Sequence, residues 1–506
     1  VKSALKKIFS AKRRHEERED LKAAGEAPML VGYLTMAMKI NPNLERACGF
    51  AGEQLDGKMS QELRSRMSEG HMRLHSGADQ AIAEFSKRWA RTCPEIGRAT
   101  YLIRSSANEL TTHCRVRTLD RALQVALQGA RDRTSAFASS INLPTLMIYS
   151  LGVLLPLVFV VILPVLSVID IRIGLAHIVF LYCVALPLAV YFLSRSVLSK
   201  RPAAMKPPEV SPSDNSARAI AIASIAALPI PALGMIFSVP PDFGALSFLW
   251  GFVLWIYTYS YLRFFRPFKR RGEILQMEAE FCDALVQLGN RISEGRPAED
   301  AFLHVAKSMT GSRFEGLLRT ISANVRLGGM GLRAAIFDEA KGALNSVGSS
   351  LISGTLKMTV DLIERSTQAA GEAILQMAEH LRELKSIEAE TRRSMEEVVT
   401  SMRSVAIFFA PLVTSVAARL QGLLSSETIA AGFLGSTSIS PPAFLFVLGV
   451  YVTILTAILV NYTVEIELGD DWLAKRVTIV SALPVALGFF TAGAVLGGQM
   501  IGALIG

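Results

Sequence analysis

The chain reads as an all-α integral membrane protein in which two cytoplasmic helical-bundle domains alternate with groups of transmembrane helices. Three observations predict this class. The 506 residues are 51% hydrophobic and only 19% charged, too apolar for a soluble protein of this length. The charge collects in two blocks, about residues 1–140 and 263–404. Around those blocks lie seven apolar runs, each near the roughly 20 residues that a helix needs to cross a bilayer.

The opening VKSALKKIFSAKRRHEERED is basic and amphipathic. It lacks the apolar centre of a signal peptide, so it reads as a solvated or membrane-surface helix. The segments that follow are broken at Asn41-Pro42, Asp56-Gly57 and Cys93-Pro94 into helices of ordinary length. A further helical stretch from about Asn108 to Ser140 leads to the first apolar run. No stretch alternates as a strand would. The apolar runs begin near Leu146, Leu175, Ala219, Phe243, Val405, Ala443 and Val477.

The second charged block opens as a helical pair. Phe281, Leu285, Leu288 and Ile292 form one apolar stripe at helical spacing. Gly295 is placed to end that helix, and Pro297 suits the first turn of the next. There Ala301, Phe302, Val305 and Ala306 make a second stripe. The block ends as a long charged helix that passes into an uncharged run from Val405 to Ala418. Four segments result: helical domains over 1–140 and 266–403, four spans over 141–265, and three spans over 404–506.

Basic residues orient the spans, because loops rich in Lys and Arg stay inside. The amino-terminal block is basic, as is the link with Arg195, Lys200, Arg201, Lys206 and Arg218. So is the block from Arg263 to Arg403, and Lys475 and Arg476 occupy the last inner turn. The opposite turns hold Arg172 alone, nothing basic in Pro240–Asp242, and nothing basic from Ser425 to Pro442. Seven spans with the amino terminus inside satisfy all of this. The turn Glu465–Arg476 fits least well, since four acids accompany its two bases.

Chemistry is sparse. The formal charge of +9 belongs to inner loops rather than to nucleic-acid binding. Five scattered cysteines without a CxxC argue for a reducing compartment and against a disulfide or zinc framework. No GxxxxGK[ST] loop is present, so nothing suggests nucleotide hydrolysis by this chain. His71 and His75 sit four apart but lack an acidic or cysteine partner, so no metal site is assigned. No catalytic or cofactor-binding residue stands out either. The seven runs do not suit a retinal or receptor bundle, because the last carries no lysine for a Schiff base.

The two charged blocks look like copies of one unit. GADQAIAEF in the first can be laid over PAEDAFLHV in the second, and YLIRSSANEL over DLIERSTQAA. From each Leu-Ile pair the next span is about forty residues away, as an internal duplication would give. The stretches PNLERACGFAGEQLDG, LIERSTQAAGE and SMRSVAIFFAPLVTSVAARL resemble the archaeal branch of the type II secretion F-domain family. That family supplies the integral-membrane platform proteins of type IV pili, archaella and related machines. The resemblance covers nearly the whole chain, including its order of soluble and membrane segments.

The resemblance implies a non-enzymatic scaffold in the cell membrane, usually a homodimer. A hexameric secretion ATPase would meet it on the cytoplasmic side and pilin-like subunits on the membrane side. On that expectation the helix through Arg392, Arg393 and Arg403 is the coupling helix. The Gly-rich bend at Gly328, Gly329 and Gly331 would then present Arg326 and Arg333 to carboxylates of the ATPase. The alternative is a secondary transporter, or another membrane signalling or assembly protein. A transporter needs ionisable groups within its spans, and here Arg419 and His177 are the candidates, with Pro156, Pro164, Pro187, Pro229 and Pro231 as possible helix breaks.

Overall fold

A computed structural model describes residues 19–21, 23–55, 57–71, 77–168, 174–201, 208, 210, 216–231, 241–365, 367–424 and 440–505. Among these residues there are helices and turns and no strand. The chain is a multi-pass membrane protein: five helical stretches are long and apolar enough to cross a membrane. They are Thr112–Leu163, Leu175–Leu198, Ala370–Gly422, Pro441–Leu468 and Trp472–Gln499.

Two compact units result. The first gathers the described parts of Val1–Phe137 and Lys269–Arg392, and so unites the two charged blocks. The second holds the described parts of Ala138–Arg201, Ser211–Phe268 and Arg393–Gly506. In the first block the helices are α1 (Ala27–Ile40), α2 (Leu44–Gln54), α3 (Lys58–His71), α4 (Ala78–Trp89), α5 (Pro94–Ser106) and α6 (Thr112–Tyr149). A π-helical turn, Ser150–Leu154, follows, and then α7 (Leu155–Val168). Next come α8 (Leu175–Val179), a second π-helical stretch at Phe180–Ala185, α9 (Leu186–Leu198) and α10 (Ser216–Ala227).

The second series begins with the 53-residue α11 (Pro241–Ser293). It continues with α12 (Ala298–Ser308), α13 (Glu315–Arg326), α14 (Leu332–Phe337), α15 (Ser350–Arg365) and α16 (Thr367–Ser404). Another π-helical turn, Val405–Phe409, leads to α17 (Ala410–Leu424). The chain ends in α18 (Pro441–Leu468) and α19 (Trp472–Ile505).

The second series repeats the first at a nearly constant distance along the chain. The paired starts are Leu44 and Ala298, Ala78 and Leu332, Pro94 and Ser350, Thr112 and Thr367, and Ser150 and Val405. Burial follows the same register. Ala47, Cys48, Ala51 and Gly52 of α2 are buried, as are Ala301, Phe302, Val305 and Ala306 of α12. The overlay of GADQAIAEF on PAEDAFLHV is therefore corrected: it pairs α4 with α12, whereas element order pairs α2 with α12, and burial fits either pairing. Both α4 and α12 are short amphipathic helices with an acid in the first turn, so composition alone confuses them. The Leu-Ile overlay does fall on paired helices, α5 and α15.

Local chemistry explains the boundaries. Asn43 caps α2 by accepting the Arg46 backbone N–H at 3.1 Å. Proline opens α5, where its missing N–H costs nothing. Gly295 ends α11 with φ of +82°, a conformation that favours glycine. The expected stripe of Phe281, Leu285, Leu288 and Ile292 is buried throughout. It joins Phe302, Val305, Phe314 and Ile321 in a core that also takes in Met36, Leu123 and Leu127 from the first block. A second core is built on Leu34, Phe85, Trp89, Ile96 and Ile103.

Of the seven expected runs, those beginning near Ala219 and Phe243 are not among the five. The run beginning near Ala219 is described only as far as Pro231, and its remainder lies outside the described residues. The side chains of Pro241–Phe243, where the next expected run begins, lie outside the described residues; from Leu246 onward α11 carries Trp250, Trp255, Tyr257, Tyr259 and Tyr261. It nevertheless lies along a spanning helix. Trp250 packs at Gly488 of α19, and Phe264 meets the Trp472 ring edge-on at 6.0 Å. The 14 residues between Trp250 and Phe264 advance roughly 20 Å along α19 in the opposite direction.

Candidate functional site

The two long helices, α6 and α16, have 38 residues each, and each turns π-helical at its end. A π turn widens the hydrogen-bond ring and leaves backbone groups poorly matched, which is why such turns need outside partners. Both find them on α18. The Tyr451 hydroxyl donates to the Gly152 carbonyl in the first turn. The Thr456 hydroxyl donates to the Ala406 carbonyl in the second at 3.1 Å. Higher on the same helix, Tyr462 and Thr145 share a hydrogen bond of 3.0 Å. One helix therefore reads the equivalent turn of both repeats.

Beside these turns lies an open cavity of about 330 Å³. Asn142, Thr145 and Tyr149 line it from α6, and Glu397, Ser401 and Val405 from α16 and its π turn. The ring of Tyr149, one of the lining residues, stands 6.3 Å from that of Phe409 in the second π turn. Sequence reasoning missed the turns, because a π turn carries no residue signature of its own. The one available signal was the recurrence of an apolar run at the same distance in each copy.

The expected coupling residues divide. Arg403, in the last turn of α16, pairs with Glu467 of α18 at 3.0 Å. The buried Arg201 donates to the Glu467 carbonyl at 3.3 Å, and burial lowers its guanidinium to about 10, opposed by Glu465. Lys475 pairs with Glu465 at 3.0 Å and Asp470 at 2.7 Å. Asp471 caps α19 by accepting the Leu473 and Ala474 N–H groups. The four acids that made this turn fit poorly are thus all engaged, three within the turn and Glu467 by Arg403 of α16. Arg392 and Arg393 are exposed on α16, and Arg403 is tied to another spanning helix by its ion pair with Glu467.

The bend between α13 and α14 forms as expected, with Gly329 at φ of +61°. The two arginines expected to meet the ATPase flank this bend, and each has acidic neighbours. Arg326 pairs with Asp300 at 2.9 Å, and Arg333 with Asp361 at 2.5 Å and Glu364 at 2.6 Å. Hydrogen bonds that Arg333 donates to Glu364 and then Asp361 raise the Arg333 pKa, and Arg333 holds the Glu364 carboxyl below its usual range. These guanidiniums already have carboxylates from their own chain. At the bend itself the exposed side chain is Leu327, 90% accessible.

Among the described residues no group of three or more His, Cys, Asp and Glu side chains is placed to hold a metal. His75, the turn from Ser425 to Ile439 and the basic opening through Arg18 lie outside the described residues. Arg419 donates to the Ala494 carbonyl at 2.9 Å, within the spanning helices. Comparison with protein-family models, with curated proteins and with solved structures finds no match to this chain.

Proposed function

We propose that the chain is a membrane-embedded platform protein of a type IV filament or type II secretion-like machine. It couples a cytoplasmic hexameric ATPase to the assembly of pilin-like subunits, and acts as a homodimer in the cell membrane. The observation that carries this reading is the repeat itself. Twice, a set of short amphipathic helices leads through a 38-residue helix and a π turn into a membrane span. Such a helix transmits displacement along its axis, because its backbone hydrogen bonds resist stretching. The π turns, held from outside by Tyr451 and Thr456, are the points where the transmitted movement can be converted into rearrangement of the spans.

Arg419, the ionisable group on which a transporter reading would rest, donates to the Ala494 carbonyl. The decisive experiment is co-purification of the full chain with the secretion ATPase of the same cells, together with an ATP-hydrolysis assay on the chain alone. Retention of the ATPase with no hydrolysis by the isolated chain is expected. Hydrolysis by the pure chain, or its failure to retain any such ATPase, overturns the reading.

A further inference from the structure

At the ends of the spanning helices Arg403 is balanced by Glu467, and Lys475 by Glu465 and Asp470. Arg263 and Arg476 are not. The Arg263 guanidinium lies 5.6 Å from the Phe264 ring, and the Arg476 guanidinium lies 5.2 Å from the same ring. Arg476 also lies 5.9 Å from the Trp472 ring, and Arg263 donates to the Tyr259 hydroxyl at 2.6 Å. No carboxylate of the described residues pairs with either, and the Arg263 Nε is shut from solvent without a hydrogen-bond partner. Two like charges gathered on one aromatic ring repel each other, and a cation–π contact returns only about 0.5–2 kcal/mol each. An anion is the missing member of this arrangement.

Its surroundings say which kind. Arg476 is in the first turns of α19, a spanning helix, and Arg263 is where α11 runs beside that same end. Trp472, Tyr261 and Phe265 are exposed there, as aromatic residues are at the level of lipid headgroups. The chain continues Arg266, Lys269, Arg270, a basic run directly after an apolar one, which attracts an anionic membrane surface. Planar guanidiniums bind phosphate oxygens in pairs.

We propose that Arg263 and Arg476, with Phe264 and Trp472, form a binding site for the phosphate headgroup of an anionic phospholipid in the leaflet at this end of the spans. The lipid phosphate bridges the two guanidiniums and satisfies Arg263 Nε, while its acyl chains lie along the exposed aromatic side chains of α11. The site fastens α11 to α19 where the chain leaves the membrane. This goes beyond the platform reading and does not depend on it.

The test uses the full chain purified in neutral detergent, with bound lipid counted by native mass spectrometry after addition of phosphatidylglycerol or phosphatidylcholine. Wild type should retain phosphatidylglycerol preferentially. Arg263→Gln with Arg476→Gln should lose roughly ten- to thirtyfold of that preference, the scale of two arginines at an anionic surface. The exposed Arg476→Gln alone should lose part of it, which keeps the test informative if the double variant folds poorly. Helical content by circular dichroism should be unchanged. Arg266→Gln with Arg270→Gln removes the same charge from the neighbouring basic run, which offers general attraction without a paired site, and should lose distinctly less of the preference. An equal loss in that control, or no preference in wild type, overturns the site. Competition by inorganic phosphate at concentrations equal to the lipid would make this a free-phosphate site and overturn the lipid assignment.

Discussion

The first and second helical series place the same clamp in the same position with opposite chemistry. In the first, Asp79, second residue of α4, pairs with Arg104 of α5 at 2.5 Å. In the second, Arg333, second residue of α14, pairs with Asp361 and Glu364 of α15 at 2.5 and 2.6 Å. The buried polar contacts differ likewise. The first series joins Glu95 to Arg133, and the second joins Glu278 to Ser349 at 2.7 Å and Lys385 at 3.0 Å. What is repeated is where the helices are tied together, not which residue carries which charge. The arginine expected from sequence to dock the ATPase thus stands where the other copy has one half of an ion-pair clamp.

The long helices differ at one matched position. Helix α6 carries Pro144 five residues before its last, and α16 carries the buried Val399 there. The first helix therefore already lacks a backbone hydrogen bond ahead of its π turn, and the second has it. If α16 is the coupling helix, Val399→Pro should cost about 3 kcal/mol or more from the lost bond and the ring clash. Filament assembly should fail while membrane insertion survives, whereas Pro144→Val in α6 should assemble normally. Counting surface filaments and membrane-fraction protein for both variants checks this. Normal assembly with Val399→Pro would remove the distinction between the two helices.

Close backbone contacts sharpen the comparison next. Gly289 of α11 and Gly371 of α16 let those helices touch, and a Cβ on Gly371 would come 2.5 Å from the Ser293 nitrogen. A backbone atom cannot turn aside, so Gly371→Ala should destabilise by about 1–3 kcal/mol. Gly32 of α1 has a softer neighbour: a Cβ there collides with the His380 imidazole, which is 6% exposed. Gly32→Ala should cost less than Gly371→Ala, and His380→Ala in the same chain should recover part of it. Thermal unfolding of the purified variants measures the order, and rescue of Gly371→Ala by His380→Ala would show that the assignment of contacts is wrong.

Much of this architecture was legible because it rests on composition and period. Phe281, Leu285, Leu288 and Ile292 declare a helix face by spacing alone, and the run from Val405 declares a span by lacking charge. The repeat was legible too, but not its register, since α4 and α12 share amphipathic character without sharing a place. The site was less legible. Arg403 gave no hint of Glu467, which lies 64 residues away. Tyr451 and Thr456 look like ordinary span residues until the π-turn carbonyls beside them are seen. Long-range pairing of this kind is set by how spans pack, which period and propensity do not encode.

The smallest effect concerns the charge of the clamps. Exposed ion pairs contribute about 0–1 kcal/mol each, and both clamps are largely exposed. Arg333→Gln should therefore lower stability by at most about 1 kcal/mol at neutral pH. Hydrogen bonding from Arg104 holds the Asp79 carboxyl below its usual range, and Arg333 does the same for Glu364. Carboxyls with depressed values contribute stability above their unfolded values near 4, and lose it as pH falls through the lower folded ones. The difference between wild type and Arg333→Gln should thus be full at pH 7 and vanish in acid. The comparison with Asp79 then decides the docking question. Asp361→Asn with Glu364→Gln frees Arg333 from its own chain. If Arg333 is only a clamp, that variant loses a little stability and binds the ATPase as wild type does. If co-purification of the ATPase instead rises, the freed guanidinium is a docking cation after all, and the likeness between the two clamps is structural coincidence.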